Sequence, residues 1–103
     1  AIISLETLEH LDKKQSIFWL KKCRNLLKKK SIFLCSSPML RVREGKPFIT
    51  NPHHLHEMRQ KEFFNNLKKI FMPKSINFFI QNNDHFIPHT DQKEGLCMAV
   101  LSI

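Results

Sequence analysis

The stretch KKQSIFWLKKCRNLLKKKSIFLC, residues 13–35, decides the fold class because its pattern changes from helical to extended near Ser31. On a wheel of about 100° per residue, the part before Ser31 has apolar residues on one side and lysines on the other, as in an amphipathic helix. The predicted apolar stripe consists of Trp19, Leu20, Cys23, Leu26 and Leu27. The apolar run 32–35 is then closed by Ser36-Ser37-Pro38, which indicates a buried strand ending in a turn. The sequence therefore predicts both helices and strands.

Two helix starts are predicted upstream of this change. Ser4 is placed to cap a short helix whose apolar residues recur every three positions. These residues are Leu5, Leu8 and Leu11. Asp12 and Gln15 have the spacing of a capping box, so they predict the start of the basic helix.

Downstream, the sequence predicts a hairpin and a further helix. Leu40–Arg43 alternates, Glu44-Gly45 supplies a two-residue turn, and Lys46–Ile49 returns antiparallel. Asn51-Pro52 is typical of a helix start, and Pro73 marks the end of that helix. Its predicted apolar side carries Phe63, Phe64, Leu67, Ile70 and Phe71.

The last part of the chain predicts strands. Residues 76–80 form an apolar strand, 81–84 have turn chemistry, and 85–89 pair back along that strand. Residues 96–103 are either a last strand or a helix start. We therefore predict one small domain, residues 1–103, with an α+β fold: N-terminal amphipathic helices, one central helix and a small, mainly antiparallel sheet.

The net charge of +8 is confined to residues 13–30, which hold eight cationic and no acidic side chains. In the rest of the chain nine cations and nine acids cancel. Such a concentrated cationic element typically binds phosphate, lipid headgroups or an acidic protein surface. We predict a polyanionic partner, with RNA or a ribonucleoprotein as first choice and weak sequence preference, because lysine rather than arginine dominates.

Phe18 falls in the middle of the lysine side of the predicted helix, where an exposed ring can stack on an unpaired base. The predicted polyanion-binding residues are Lys14, Phe18, Lys21, Lys22, Lys28 and Lys29. Three alternatives remain open at this point: a lysine face that is merely solvated, an anionic membrane surface, and an acidic partner protein on which the chain docks as part of a larger assembly. The membrane surface is less favoured, since Trp19 belongs to the stripe that a folded domain buries.

His53, His54 and His56 are predicted to open the third helix, and His53 and His56 share a face there. Because the sequence places no third ligand beside them, we predict no metal site and no cofactor. The three cysteines have no CxxC spacing, which favours free thiols in a reducing intracellular compartment, the cytoplasm. No export segment or membrane-spanning run is visible, and the chain is interpreted either as a complete domain or as a piece of a longer protein.

Cys97 follows Gly95, where a helix start would lower the pKa of its thiol and favour a thiolate nucleophile. Two segments resemble parts of papain-fold cysteine peptidases, among them ovarian-tumour-type deubiquitinases and bacterial effector peptidases. The nucleophile segment of these enzymes resembles Glu94-Gly95-Leu96-Cys97 with the small and apolar residues after it. The strand that presents their histidine is similar to the hairpin 77–89.

This resemblance implies Cys97 as nucleophile, His85 as base and Gln92 as oxyanion-hole residue, with Asp84 or Asp91 orienting the histidine. The competing interpretation is that Cys97 is a buried thiol in an apolar strand. The preferred hypothesis is a non-enzymatic, basic binding module, and the alternatives are a cysteine hydrolase and an interaction domain of a larger protein.

Overall fold

The computed structural model describes residues 1–49, 51–82, 85–88 and 95–103. Its elements are β1 (Ile2–Leu5), a 3-10 helix (Leu8–His10), α1 (Lys13–Leu26), β2 (Ile32–Met39), β3 (Arg41–Arg43), β4 (Lys46–Phe48), α2 (Gln60–Phe71), β5 (Ser75–Asn82), β6 (His85–Pro88) and β7 (Gly95–Ser102).

Five strands form one sheet in the order β1-β2-β7-β5-β6, and β3 and β4 form a separate hairpin. Only the β1–β2 pair is parallel within the described sheet, and the other pairs are antiparallel. The predicted α+β class and the mainly antiparallel sheet are therefore confirmed. Helix α1 lies between the two parallel strands in the sequence and connects them, so β1, α1 and β2 form a crossover unit.

The N-terminal segment is a strand rather than the predicted helix. Residues 2–5 pair with residues 33–36 of β2, and Ser4 is buried in that sheet instead of capping a helix. Pairing with a distant strand outweighs the local helical spacing of the leucines, because sheet formation satisfies the backbone, buries Ser4 and packs the partly buried Ile2 against the core. Only the short 3-10 helix remains of the predicted element.

Helix α1 begins at the predicted capping box. The backbone NH of Gln15 donates to Asp12 Oδ1 over 2.7 Å, and the backbone NH of Asp12 donates to Gln15 Oε1 over 3.1 Å. The buried line of the helix consists of Ser16, Leu20 and Cys23, continued by Leu27. The predicted stripe is wrong at Trp19, which is 36% exposed, and at Leu26, which is 75% exposed.

Strand β2 continues through the predicted turn at 36–38. All eight of its residues pair with β7, and Ser36 and Ser37 are buried. The neighbouring strands β1 and β7 pair with β2 through this stretch, so it stays extended although its local sequence is typical of a turn. The predicted hairpin 40–49 is confirmed in β3 and β4, where Glu44 and Gly45 both have positive φ, as a two-residue turn of this kind requires.

Helix α2 begins at Gln60, so the predicted start at Asn51-Pro52 is wrong. The Asn51 side chain instead accepts a hydrogen bond from the backbone NH of His53 at 2.9 Å, which closes a local turn. The predicted end before Pro73 and the predicted apolar side are confirmed: Phe63, Leu67 and Phe71 are buried. The predicted pairing of the strand 76–80 with 85–89 is confirmed for 85–88. The predicted turn is wrong at Gln81 and Asn82, because β5 continues through them and pairs them with β6, and residues 83, 84 and 89 lie outside the described residues.

Both helices pack on one face of the sheet. Phe71 of α2 stacks on Phe33 of β2 with ring centroids 4.5 Å apart, and the indole NH of Trp19 on α1 donates to the Ser4 hydroxyl at 3.4 Å. The opposite face is apolar but uncovered by the described helices: Ile3, Leu5 and Ile32 are each at least half exposed. Neither described helix has the length and apolar character needed to cross a membrane.

Candidate metal centre and cationic surface

Glu9 lies in the 3-10 helix that follows β1, beyond the carboxyl end of the parallel strand pair. Ligand sites in sheets with parallel strands commonly occur at this edge. The Glu9 side chain is only 1% exposed, and Oε2 has no hydrogen-bond partner within the described part of the chain. Burial raises the pKa of the Glu9 carboxyl above its ordinary value, whereas the charges of His10 and His54 oppose this rise.

Two histidines converge on Glu9. One ligand atom from each of Glu9, His10 and His54 lies within 4.8 Å of the others. The rings of His10 and His54 meet edge to face with centroids 4.9 Å apart. Two imidazole nitrogens and one carboxylate oxygen form a donor set that divalent transition metals bind.

In both histidines Nδ1 makes a hydrogen bond within the protein, which leaves Nε2 as the nitrogen that can bind a metal. His10 Nδ1 lies 3.1 Å from the carbonyl oxygen of His53, which can only accept, so His10 donates from Nδ1. His54 Nδ1 lies 2.6 Å from Glu57 Oε2. In the neutral tautomer that donates from Nδ1, each imidazole carries a lone pair on Nε2 that can bind a metal.

Glu57 is the residue that orients His54. Its side chain is 5% exposed, and Oε1 has no partner among the described residues. A buried carboxylate behind a ligating imidazole fixes the ring and its tautomer, and it makes the imidazole a better donor. The Glu57–His54 pair has this arrangement.

The backbone holds the two halves of the centre together. The NH groups of Leu55 and His56 donate to the carbonyl oxygen of Glu9 over 2.7 and 3.3 Å. The NH of Leu40 donates to the carbonyl of Met58 over 2.8 Å, which ties the far end of the segment to β2. Residues 53–58 therefore lie firmly against the 3-10 helix that carries Glu9 and His10.

A small cavity of about 210 Å³ adjoins this centre. Its lining residues come from the end of β2, the start of β7 and the segment 53–58. They are Pro38, Met39, Arg41, His54, Glu57, Gly95 and Leu96. A substrate group that entered this cavity would lie beside the His54 imidazole.

The sequence predicted no metal site and paired His53 with His56, whereas the described structure brings His54 together with Glu9 and His10. His53 contributes only its carbonyl oxygen, and His56 Nε2 lies 3.3 Å from Glu62 Oε1 instead of facing a metal position. The three histidines also precede α2 rather than opening it. The available signals were the adjacent pair Glu9-His10 and the spacing of His54 and Glu57, but only the fold brings the two pairs together.

The predicted cationic surface is confirmed as exposed along α1. Phe18 is 62% exposed, and Lys22 Nζ lies 5.1 Å above the centre of its ring. Lys14, Lys21 and Phe18 line a shallow cavity on the outer side of the helix.

The helical wheel predicted Lys28 and Lys29 on the same face as Lys14 and Lys21. In the structure they do not lie on this helical face. The helix ends at Leu26, Leu27 is extended, and Lys30 has a positive φ, so these two lysines lie in the turn before β2. The helix ends before these lysines because the buried residues of α1 end at Leu27, and the chain then turns to enter the sheet at β2.

A second cationic feature was not predicted, a groove of about 550 Å³ between α1 and α2. It is lined by residues of both helices. They are Lys13, Ile17, Lys21, Arg24, Asn25, Asn66, Lys69 and Ile70. The predicted surface on α1 shares only Lys21 with this groove.

Cys97 and His85 of the predicted cysteine hydrolase are not brought together. Cys97 lies on the strand β7, is fully buried, and burial raises its thiol pKa to about 12. His85 is exposed on β6, and β5 separates it from β7, which puts the two strands about 10 Å apart. Gln92, like Asp84 and Asp91, lies outside the described residues.

No family model matches the chain, and no match was found among curated proteins. Among solved structures, it is similar to one described as the small RNA methyltransferase HEN1, with a TM-score of 0.73 and 18% identity. The match covers 97% of this chain and 13% of that chain. At this identity the similarity concerns the fold, and it shows that the same fold occurs as a small part of a much longer protein.

Proposed function

We propose that this chain is the metal-binding part of an enzyme that modifies RNA, and that its cationic helix contacts the RNA. The observation that carries the proposal is the buried Glu9 carboxylate, whose Oε2 lacks a partner in the described structure and which offers a ligand atom within 4.8 Å of one from each of His10 and His54. RNA as the substrate and methyl transfer as the reaction class are taken from the description of the structural neighbour.

The energetics of Glu9 support a metal ion. A buried polar group without a partner costs about 1–3 kcal/mol, and a charged group costs more. A divalent cation would compensate the Glu9 charge and use the two imidazole nitrogens at the same time. Three protein ligands leave coordination positions open, as in metal sites that act on a substrate. A metal held there would bind a substrate oxygen and polarise it.

The position of the centre supports a role in chemistry rather than in folding alone. Structural metal sites have closed ligand shells, whereas one of these three ligands, His54, lines a cavity at the end of β2. Glu57 adds the supporting carboxylate that catalytic sites use to orient a ligating histidine. A substrate group in the cavity would therefore reach the open metal positions.

The test is calorimetric titration of the metal-free protein with Mn²⁺. We expect one binding site in the native chain and a loss of affinity of more than about 100-fold in His54→Ala, because a ligand and its fixed orientation are both removed. His85→Ala is the matched control, since His85 is an exposed histidine on β6. Thermal melts followed by circular dichroism show whether each variant folds. A native protein that does not bind Mn²⁺, or a folded His54→Ala variant that binds it as well as the native chain, would overturn the proposal.

A non-enzymatic module that only holds a polyanion is the second candidate. It is favoured by one observation, the exposed Phe18 ring beside Lys22 and the other lysines of α1. The two candidates differ in the metal centre. RNA binding without any specific metal binding would favour the module.

A cysteine hydrolase that uses Cys97 and His85 stays a prediction, and its chemistry needs a reactive thiol. With a pKa of about 12, the Cys97 thiol would be protonated almost completely at neutral pH. We expect iodoacetamide to label Cys97 of the folded protein at least 1,000-fold more slowly than free cysteine, by order of magnitude from this pKa. Labelling at the rate of a free thiol, located by peptide mass mapping, would instead support the hydrolase.

A further inference from the structure

We infer that a single RNA strand lies in the groove between α1 and α2, and that this groove is a backbone-binding site separate from the metal centre. The inference rests on the proposed function, because it takes RNA as the partner. It assigns the contact to residues of two helices, whereas the sequence predicted one face of α1.

The charge of the groove is what selects a polyanion. Lys13, Lys21 and Arg24 approach it from α1, and Lys69 faces them from α2. No acidic side chain lines the groove in the described structure. The nearest acid, Glu62, lies 3.9 Å from Lys13 Nζ, and the lysine of this ion pair is largely exposed, so the pair offsets little of the positive charge.

The length of the groove suits a run of phosphates. Lys13 and Arg24 are eleven residues apart on α1, which corresponds to about 16 Å along the helix axis. Phosphates in a stacked strand follow one another at about 3.4 Å along the axis. Several phosphates would therefore lie within reach of the four cations.

The floor of the groove suits the rest of a nucleotide. Ile17 and Ile70 supply apolar contact, and the amides of Asn25 and Asn66 stand beside them. Amide side chains bind sugar hydroxyls and phosphate oxygens, whereas an acidic protein surface would use mainly the cations. The volume of about 550 Å³ lies in the usual range for ligand clefts. We therefore prefer RNA over an acidic protein as the occupant.

At Lys13 the groove comes close to the segment that carries His54 and Glu57. Glu62 lies beside Lys13, and its Oε1 is also 3.3 Å from His56 Nε2. His56 belongs to the segment that carries His54 and Glu57. A strand in the groove can therefore continue past Lys13 towards the metal position, which would place one nucleotide at the centre while others are held by the helices.

The test is fluorescence anisotropy of a labelled single-stranded RNA at several salt concentrations, with EDTA present so that the metal centre does not contribute. The variant K21Q/R24Q/K69Q removes three groove cations. The matched control K46Q/K61Q/K74Q removes the same charge from three exposed lysines outside the groove. We expect the groove variant to lose at least 10-fold in affinity and the magnitude of its log–log salt slope to fall by about 2, since each contact on a single strand contributes about 0.7. The control should stay within about 3-fold of the native chain.

The outcomes separate this inference from the proposed function. Equal losses in the two variants would mean that net charge alone attracts RNA, which overturns the groove but leaves RNA binding intact. A native chain that does not bind RNA even at about 50 mM salt would overturn the RNA part of the proposed function together with the groove. Circular dichroism melts of both variants confirm that the comparison is made between folded proteins.

Discussion

The candidate metal centre and the cationic groove are built in opposite ways. The centre depends on three convergent side chains from two segments that are far apart in the sequence: the buried Glu9, the exposed His10 and the half-buried His54. The groove is open to solvent, and its cations repeat along two helices. A site with few ligands should fail when one group changes, whereas an exposed surface shares its binding energy among many groups. This difference orders the expected effects of mutation.

Glu9→Gln should have the largest effect, and it should act in opposite directions on metal binding and on stability. Removing the negative ligand should lower Mn²⁺ affinity by more than about 100-fold, because the carboxylate supplies the charge at the centre. The metal-free variant should be about 1 kcal/mol more stable at neutral pH, since it no longer buries a charge without a partner. Calorimetry and urea unfolding measure the two effects.

The pH dependence of stability sharpens the same prediction. Burial raises the pKa of the Glu9 carboxyl, so the folded metal-free protein holds this proton more tightly than the unfolded chain does. Its stability should therefore decrease as pH rises from the ordinary carboxyl pKa through the raised one, and Glu9→Gln should remove this decrease. Saturating Mn²⁺ should remove it in the native chain as well, since the metal stabilises the ionised carboxylate. Parallel pH profiles of the metal-free native chain and the variant would contradict the assignment to Glu9.

Glu57→Gln should have an intermediate effect on metal affinity, a loss of about 10- to 100-fold. The amide keeps the shape of the carboxylate, but its hydrogen bond to His54 Nδ1 is weaker and polarises the ring less. Glu62→Gln is the control, because Glu62 contacts His56 rather than His54. Equal affinities of Glu57→Gln and the native chain for Mn²⁺ would show that Glu57 does not orient a metal ligand.

The same contrast explains which parts of the molecule can be predicted from the sequence. The capping box of Asp12 and Gln15, the Glu44-Gly45 turn and the apolar side of α2 depend on neighbouring residues, and the structure confirms them. Strand β1 and the long strand β2 depend on pairing between residues about thirty positions apart, which local spacing does not reveal.

The candidate site follows the same rule. The exposed lysines and Phe18 on α1 can be predicted from the helical periodicity of one short stretch, because neighbouring residues alone determine which face they occupy. Glu9 and His54 meet only because the β1–α1–β2 unit and the segment 53–58 converge at one edge of the sheet. Arg24 and Lys69 join the groove only through the packing of α2 beside α1.

Phe18→Ala should have the smallest of these effects, and it tests only the surface on α1 that the sequence predicted. If the ring stacks on a base, its loss should weaken single-stranded RNA binding by about 5-fold, at the lower end for one stacked base, because the ring is open to solvent and lies outside the groove. Stability should not change, since an exposed ring contributes little to the core. Leu26→Ala is the control, as Leu26 is another exposed apolar residue of α1. Equal RNA affinities of the Phe18→Ala and Leu26→Ala variants would assign all RNA contact to the cations, and Phe18 would then be an apolar residue without a role in binding.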